Sequence, residues 1–319
     1  MRKLKILIKS LFVVYLCLGF LLGIGLSAES NLFINASNSV GEWKKGTVTQ
    51  REVAFTDKPD IKSETEIYVA CKGKYQLIAY VHHNWRKSCP CIYVEAIDST
   101  GKVHRGYHKI ENIWYLGPKD KGRWFFVSLS NNPYWDLPEG ILRLRFWAEA
   151  KDSTWGNLSV PMEDKVSIEQ FFLVPVVCLN SETFLPWMLN IESGTGNWQI
   201  CDYDHEYATN FIKTQKKNSL FFVNLNIPAS ANYLVWLSIL SKSDADLEIG
   251  IKNGSREEKN IVKLKANKEW NLLHTGSVKL DRGPCLIYFK NLDQNEVMID
   301  FFFLTPELKT SNDSLSLRK

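Results

Sequence analysis

The chain has 319 residues, of which 45% are hydrophobic and 23% charged, and its formal net charge is +4. This length leaves room for two domains of ordinary size. Four basic residues between Arg2 and Lys9 precede the first acidic residue, Glu29, so the remainder of the chain is close to neutral. We expect no basic surface of the kind that binds nucleic acid, and nucleic acid is excluded as a partner.

The N-terminus has the pattern of a secretory signal peptide. Residues 11–26 are apolar almost throughout and are followed by the small residues Ser27 and Ala28. We therefore predict a signal peptide over residues 1–28 and a protein that is secreted or held in the cell envelope, with no membrane span after cleavage. The alternative is an uncleaved anchor, although the apolar run is shorter than the roughly 20 residues that a spanning helix needs.

Cysteine usage agrees with export. All of the seven cysteines except Cys17 lie beyond the predicted signal peptide. Disulfides form in exported proteins, but the spacing of these residues does not give their pairing.

The rest of the chain has the pattern of short strands. Alternating or apolar runs rich in aromatic and β-branched residues are separated by Gly, Pro, Asn and Asp. Clear examples are residues 75–81, 92–97, 141–147, 220–225 and 233–240. Their spacing is typical of an all-β sandwich or jelly roll.

Five landmarks occur in the same order in both halves of the chain, which indicates an internal repeat. They pair residues 33–43 with 188–198, 73–77 with 231–235, Trp124 with Trp270, 139–144 with 282–287, and 168–175 with 299–306. The last pair reads as a buried strand that carries one acid and ends at a proline. We predict β-sandwich modules over 29–177 and 178–308, with long loop insertions in module one, and a disordered tail over 309–319.

The second half resembles a known family. Leu220–Tyr233 forms an apolar strand, an Asn-Ile-Pro-Ala-Ser-Ala-Asn turn and a new strand, and Trp270, Gly283 and Ile299-Asp300 follow in order. This order resembles carbohydrate-binding modules of families six and thirty-five, which are galactose-binding-like jelly rolls. The resemblance implies tandem galactose-binding-like domains; it covers residues 187–306 well and residues 33–175 more loosely.

The resemblance implies a structural calcium ion in module two. In the family an acid on the first strand and an aspartate on the last strand hold the ion, and the matching positions are Glu192 and Asp300. Both supply the oxygen ligands that calcium requires. Module one has Ser37 and Glu169 at these positions. The alternative for Asp300 is a carboxylate that caps nearby backbone donors.

The resemblance also implies a sugar site with aromatic platforms, because apolar sugar faces stack on flat rings. The implied platforms are Trp270 and Trp124, with opposing rings from Trp198, Tyr203 and Tyr207. The family also has a polar residue two positions before the acid of the last strand. This position is Ser167 in module one, whereas in module two it is Met298, which departs from the pattern. The alternative is that Trp124 and Trp270 are half-buried strand residues. Trp147 and Trp236 lie within apolar runs and are predicted to be core.

No catalytic motif is visible. The histidines at positions 82, 83, 104 and 108 could combine with Glu95 or Asp98, but no His-Glu-x-x-His pattern occurs. The acids Asp202, Asp204 and Glu206 could serve glycoside hydrolysis but are more typical of a solvated loop. The sequence therefore predicts an exported, non-catalytic protein that binds a polysaccharide or cell-surface glycan. The alternatives are a structural or adhesive envelope protein that binds other proteins, or a polysaccharide-active enzyme.

Overall fold

The computed structural model describes residues 33–83, 89–109, 122–130, 134–151, 165–175, 178–179, 182–183, 187–190, 194–204, 209–227 and 229–307. These residues form strands, turns and one short 3-10 helix at Ala36–Asn38. Within these ranges no helix has the length and hydropathy needed to cross a membrane. The predicted signal peptide and C-terminal tail lie outside the described residues.

Module one consists of two antiparallel sheets. Its strands are β1 (Phe33–Asn35), β2 (Val40–Gly41), β3 (Lys44–Val48), β4 (Arg51–Thr56), β5 (Ser63–Val69), β6 (Gly73–His83), β7 (Cys89–Ile97), β8 (Val103–Lys109), β9 (Arg123–Ser128), β10 (Trp135–Leu137), β11 (Gly140–Lys151) and β12 (Val166–Pro175). A seven-stranded sheet has the order β10-β6-β12-β4-β3, with β1 beside β12 and β9 beside β6. A five-stranded sheet has the order β2-β5-β11-β7-β8.

Module two repeats this arrangement. A two-stranded ribbon of β13 (Cys178–Leu179) and β14 (Glu182–Thr183) precedes it, and its strands are β15 (Trp187–Asn190), β16 (Thr195–Gly196), β17 (Gln199–Asp204), β18 (Thr209–Thr214), β19 (Leu220–Ile227), β20 (Ala231–Ser241), β21 (Ala245–Asn253), β22 (Arg256–Leu264), β23 (Asn271–Leu280), β24 (Gly283–Asn291) and β25 (Val297–Pro306). A six-stranded sheet has the order β17-β18-β25-β20-β23, with β15 beside β25, and a five-stranded sheet has the order β16-β19-β24-β21-β22. The predicted all-β fold of two tandem sandwiches is confirmed.

Period-2 alternation explains the core of each sandwich. On β11 the side chains of Leu142, Leu144 and Phe146 are fully buried, whereas the residues between them face outward. The same alternation places Leu247 and Ile249 of β21 in the core of module two. Successive side chains of a strand point to opposite faces, so one face of each five-stranded sheet covers the core and the other faces solvent.

The strands β12 and β25 are buried on both faces. In β12, Ile168, Phe171 and Leu173 lie in the core of module one, while Phe172 lies in a separate cluster. In β25, the rings of Phe301 and Phe303 belong to that same cluster. The seven-stranded sheet of module one therefore packs against the six-stranded sheet of module two, which explains why both strands are continuously apolar.

A tyrosine near the start of β6 is matched by one near the start of β20. The Tyr75 hydroxyl donates to the carbonyl of Cys71 at 2.6 Å, and the Tyr233 hydroxyl donates to the carbonyl of Ala229 at 2.8 Å. Each phenol therefore fixes the chain four residues before it to the core. This contact is the same in both modules, as the alignment of residues 73–77 with 231–235 predicts.

We predict that Tyr75→Phe and Tyr233→Phe each lower the free energy of unfolding by about 1 kcal/mol, because each removes a hydrogen bond from a phenol to a backbone carbonyl. Denaturant titration measures this. Tyr68→Phe is the matched control, since the exposed Tyr68 hydroxyl lies 3.5 Å from Glu139. An equal loss in all three variants would contradict a special role for the two buried hydroxyls.

Candidate functional site

Arg51 occupies the centre of the contact between the two modules. Its side chain is 1% exposed and binds one acid from each module. Nη1 donates to Glu169 at 3.0 Å and Nη2 donates to Asp300 at 2.5 Å. The guanidinium group thereby joins the last strand of module one to the last strand of module two.

Glu169 and Asp300 reach Arg51 because each lies at a β-bulge. Ile168 and Gln170 pair with consecutive residues of β6, so Glu169 has no pairing position there. Ile299 and Phe301 likewise pair with consecutive residues of β20, which leaves Asp300 as the extra residue. A bulge changes the direction of a side chain, and here the two bulges direct both acids toward the contact between modules.

Three aromatic rings surround the guanidinium group. Its carbon lies 5.1 Å from the ring centre of Tyr80, 5.3 Å from that of Trp124 and 4.8 Å from that of Trp270. Such distances are typical of cation–π contacts. The rings come from both modules and, with the two acids, enclose Arg51.

Asp300 receives two further hydrogen bonds. The Tyr80 hydroxyl donates to Oδ2 at 2.8 Å, and Thr209 Oγ1 donates to Oδ1 at 2.9 Å. The strand registers show that Thr209 takes the position in module two that Arg51 takes in module one. The repeat is therefore asymmetric, and one cation serves two buried carboxylates.

Burial shifts the pKa values of both acids, and Arg51 opposes the shift. Burial raises the pKa of Glu169 to about 7, against the opposing effect of Arg51. Burial also raises the pKa of Asp300 above its usual range, although Arg51 and the hydrogen bonds from Tyr80 and Thr209 oppose the rise. Burial alone would lower the pKa of Arg51, but Glu169, Tyr80 and Asp300 produce a net rise.

The structure places the predicted tryptophan platforms in the interior. Trp124 is 4% exposed, Trp270 is 5% exposed and Trp198 is 4% exposed. Trp124 and Trp270 are covered because the modules pack against each other, and Trp198 packs beside Phe221 in the core of module two. The expectation that these rings are exposed platforms at a loop edge is therefore corrected.

Of the other predicted site residues, Ser167 and Met298 are described with their side chains, and both are buried. Ser167 is fully buried on β12, and Met298 packs with Phe211, Leu240 and Trp270. Tyr203 lies on β17, Tyr207 and Glu192 lie outside the described residues, and Asp300 is bound to donors of the protein. Binding by these tyrosines and a calcium site at Glu192 and Asp300 stay predictions.

Asp98 and His104 come together in the turn between β7 and β8. The His104 ring lies 2.9 Å from Asp98 Oδ2, and the other carboxylate oxygen accepts from Thr100 and from the backbone of Lys102. Burial raises the pKa of Asp98, but these hydrogen bonds outweigh it and lower the pKa to about 2. The pair closes a turn, and in the described part of the chain no three His, Cys, Asp or Glu side chains are grouped to hold a metal.

A row of three aromatic rings crosses the outer face of the five-stranded sheet of module one. We call Tyr107, Tyr93 and Trp147 the outer aromatic row. Tyr107 lies opposite Tyr93, with ring centres 5.7 Å apart, and Tyr93 lies opposite Trp147, with ring centres 5.4 Å apart. The ring planes differ by 28° and 10°, so the rings stack, and Lys62 Nζ lies 4.9 Å from the centre of Trp147.

Among the described residues, Tyr107 is the last ring of the row and is half-exposed. Tyr107 is 50% exposed and lies on β8, the last strand of this sheet in the described part of the chain. Stacking on Tyr93 restricts the Tyr107 ring without covering it. A ring held in this way can accept an apolar face of a ligand at little cost in side-chain entropy.

Ion pairs border the outer aromatic row along the strands. Arg105 Nε donates to Glu95 at 3.0 Å, and Arg145 Nε donates to Glu64 at 2.6 Å. Farther along the face, Arg143 donates to Glu66, also at 3.0 Å. Each of the three arginines is matched by a glutamate, so this face presents many hydrogen-bonding groups and little net charge.

The equivalent face of module two differs. Tyr288 is only 8% exposed and its ring lies over Gly250, where a Cβ would overlap it. Its hydroxyl donates to Glu248 at 3.0 Å. Tyr288 is therefore held against the sheet, and the two modules present different surfaces.

The prediction that Trp147 is a core residue is wrong, because its side chain is only partly buried and lies in the outer aromatic row. Trp147 shares its side of β11 with Arg143 and Arg145, while Leu144 and Phe146 point inward. This period-2 pattern indicates that Trp147 faces outward. The assignment of Trp236 to a buried position is confirmed, since it is 8% exposed and stacks on Phe303 between the modules.

No family model and no curated protein matches the sequence. Among solved structures, the chain is similar to the N-terminal tandem of two family-22 carbohydrate-binding modules from Paenibacillus barcinonensis, at 10% identity and a TM-score of 0.31, over 87% of this chain and 97% of that one. It is similar to a Paenibacillus xanthan lyase at 14% identity and a TM-score of 0.30, over 86% of this chain and 26% of that one. It is also similar to a family-6 carbohydrate-binding module of a Cellvibrio mixtus lichenase in complex with cellotriose, at 10% identity and a TM-score of 0.32, over 39% of this chain and 100% of that one.

These similar structures include carbohydrate-binding modules, as the resemblance in the sequence led us to expect. The chain spans only 19–26% of the length of three of the enzymes that it matches. At such low identities and TM-scores the likeness carries no argument about function. The fold assignment rests on the sheets themselves.

We predict that Arg51→Met lowers the free energy of unfolding by about 3–5 kcal/mol, because it leaves two buried carboxylates without their cation. The triple variant Arg51→Met, Glu169→Gln, Asp300→Asn should recover most of the loss. Denaturant unfolding provides the comparison, with Arg143→Met, which breaks an exposed ion pair, expected to cost under about 1 kcal/mol. A loss no larger than that of Arg143→Met would contradict the buried bridge.

Glu169 should make stability fall as the pH rises. Its pKa in the folded protein lies above the ordinary carboxyl value, so its protonated form is favoured by folding and the benefit is lost as the pH passes through about 7. We expect this contribution, measured as the difference between the pH profiles of the parent and of Glu169→Gln, to fall by on the order of 2 kcal/mol between about pH 5 and pH 8. The difference isolates Glu169 from His83, whose lowered pKa acts in the opposite direction, and from Asp300, whose raised pKa acts in the same direction. Parallel profiles in the two proteins would show that another group is responsible.

Proposed function

We propose that this chain is an exported, non-catalytic protein that binds a polysaccharide or cell-surface glycan at the outer face of the five-stranded sheet of module one. The observation that carries the proposal is the outer aromatic row, which ends on the half-exposed ring of Tyr107. Sugar rings have apolar faces that stack on aromatic rings, and their hydroxyl groups hydrogen-bond to neighbouring polar side chains. The outer face supplies both kinds of group side by side.

The ion pairs beside the row favour an uncharged glycan. Arg105, Arg143 and Arg145 each bind a glutamate, so none of the three offers an unmatched positive charge to an acidic sugar. Their remaining N–H groups and the carboxylate oxygens can still bond to hydroxyl groups. We expect the ligand to be a neutral chain that lies across the strands, with one sugar unit on Tyr107.

The packing of the two modules against each other supports a binding role for the outer face of module one. Trp124 and Trp270 lie at the contact that joins the modules, and in module two Tyr288 is held against its sheet. Module two would therefore serve to support and orient module one, and the two repeats would not do the same work. The alternative, an adhesive protein that binds other proteins, would use the same exposed face but would not require a stacking ring at Tyr107.

We predict that soluble neutral polysaccharides retard the full chain in affinity electrophoresis and that Tyr107→Ala weakens binding on the order of 10-fold. Tyr107→Phe keeps the ring and should stay within about 3-fold of the parent. Tyr68→Ala, which removes an exposed tyrosine from another position of the same sheet, is the matched control. Measurements with calcium and with a chelator test the predicted ion at the same time.

Retardation by no polysaccharide in the panel, or equal weakening by Tyr107→Ala and Tyr68→Ala, would contradict this proposal. Thermal unfolding of each variant separates loss of binding from loss of fold. Turnover of a glycan by the parent chain would contradict the non-catalytic assignment.

A further inference from the structure

Glu149 lies on the outer face of module one, beside the two inner rings of the outer aromatic row. It follows Trp147 by two residues on β11, so both side chains point to the same side of the sheet. Glu149 pairs with Cys91 on β7, and two residues back along β11 Trp147 pairs with Tyr93. The strand register therefore places one half-buried carboxylate next to two aromatic side chains.

Glu149 accepts hydrogen bonds from both of these rings. Trp147 Nε1 donates to Oε1 at 3.4 Å, and the Tyr93 hydroxyl also donates to this carboxylate. Burial raises the pKa of the Tyr93 hydroxyl above its usual range, and the nearby Cys91 and Glu149 raise it further. The phenol therefore remains protonated and keeps its role as a donor. The two nearly parallel rings are fixed at their polar atoms as well as by stacking.

The contacts of Glu149 differ from those of three other glutamates on this face. Each of the three binds an arginine: Glu64, Glu66 and Glu95. Glu149 instead receives the polar atoms of two stacked rings. Module two contains a similar contact, in which Glu248 accepts from the Tyr288 hydroxyl at 3.0 Å and that ring is held against its sheet. A glutamate that fixes a tyrosine ring is therefore found in both modules.

Trp147 is restrained from two sides, because the strands β5 and β7 flank β11. Lys62 directly precedes β5, and its Nζ lies 4.9 Å from the centre of the Trp147 ring. From the side of β7, Tyr93 stacks on Trp147, and Tyr107 stacks in turn on Tyr93. The orientation of the half-exposed Tyr107 ring thus depends on the two inner rings, and Glu149 binds the polar atoms of both.

We propose that Glu149 is a positioning residue of the glycan site, and that it holds Trp147 and Tyr93 in the orientation in which Tyr107 offers its ring to a sugar. This inference rests on the proposed function of the outer face. Glu149 acts through the rings and does not contact the ligand. A binding surface that is fixed before the ligand arrives loses less side-chain entropy on binding, so loss of Glu149 weakens affinity.

The first test compares variants of the full chain by affinity electrophoresis on soluble glucomannan, xyloglucan and mixed-linkage glucan. Glu149→Leu removes both acceptor oxygens and should weaken binding about 5-fold. Glu149→Gln keeps one acceptor oxygen and should stay within about 2-fold of the parent. Glu139→Leu is the matched control and should leave affinity unchanged, because exposed Glu139 also lies beside a tyrosine hydroxyl, that of Tyr68, but outside the row.

A second measurement separates positioning from direct contact. If Glu149 acts through the rings, Glu149→Leu should add less than about 2-fold to the loss already caused by Tyr107→Ala. In the protein without ligand, the indole N–H resonance of Trp147 should move upfield in Glu149→Leu, because its acceptor is gone, and stay near the parent position in Glu149→Gln. Thermal unfolding checks the fold of each variant, and Glu149→Ala replaces Glu149→Leu if the latter does not fold.

The outcomes separate this inference from the proposed function. Full binding by Glu149→Leu, or an unmoved Trp147 resonance, would overturn the inference while the glycan site stands. Fully multiplied losses in the double variant would show that Glu149 contacts the sugar directly, which would also overturn it. Absence of binding by the parent chain would contradict the proposed function, and the inference would fall with it even if the Trp147 resonance moves.

Discussion

The arrangement of the molecule depends on one buried arginine. Arg51 binds Glu169 and Asp300, which are equivalent positions of the repeat, and lies against Trp124 and Trp270, which are also equivalent positions. A buried charge is tolerated only when it is paired and hydrogen-bonded, so the cation and both acids must be brought together by the fold. Because the acids belong to different modules, this requirement joins the two sandwiches.

This junction determines which surfaces remain for ligands. It covers Trp124, which shares an apolar cluster with Phe301 and Phe303, and Trp270, which lies against Arg51. The sheets that face solvent are then the two five-stranded ones. Among the described residues, only the sheet of module one carries a stacked row of rings with a half-exposed member, Tyr107. The two modules of the duplicated fold thus present different outer surfaces.

Much of the fold could be predicted from residue patterns, because sandwich strands alternate with period 2 and tyrosines and prolines mark their ends. The continuous apolar strand 168–175 and its repeat at 299–306 were predicted as buried, and they are. Their second buried face belongs to the contact with the other module, which no local pattern identifies. Arg51 could not be predicted as the centre, since its partners lie 118 and 249 residues away in the sequence.

The site was harder to predict for a related reason. The resemblance to carbohydrate-binding modules directed attention to Trp124, Trp198 and Trp270, but packing between and within modules buries all three. The rings of the outer aromatic row lie on three strands, and only the register of β8, β7 and β11 aligns them. Strand register depends on contacts across the whole sheet, so it cannot be predicted from a single sequence.

The central claim is that a glycan binds the outer face of module one while the tryptophans around Arg51 stay enclosed. Nuclear magnetic resonance of the indole N–H groups tests it directly, with signals assigned by single substitutions and followed during titration with a bound polysaccharide. The account predicts that the Trp147 signal shifts and that the Trp124 and Trp270 signals do not. Shifts at Trp124 and Trp270 with none at Trp147 would contradict it.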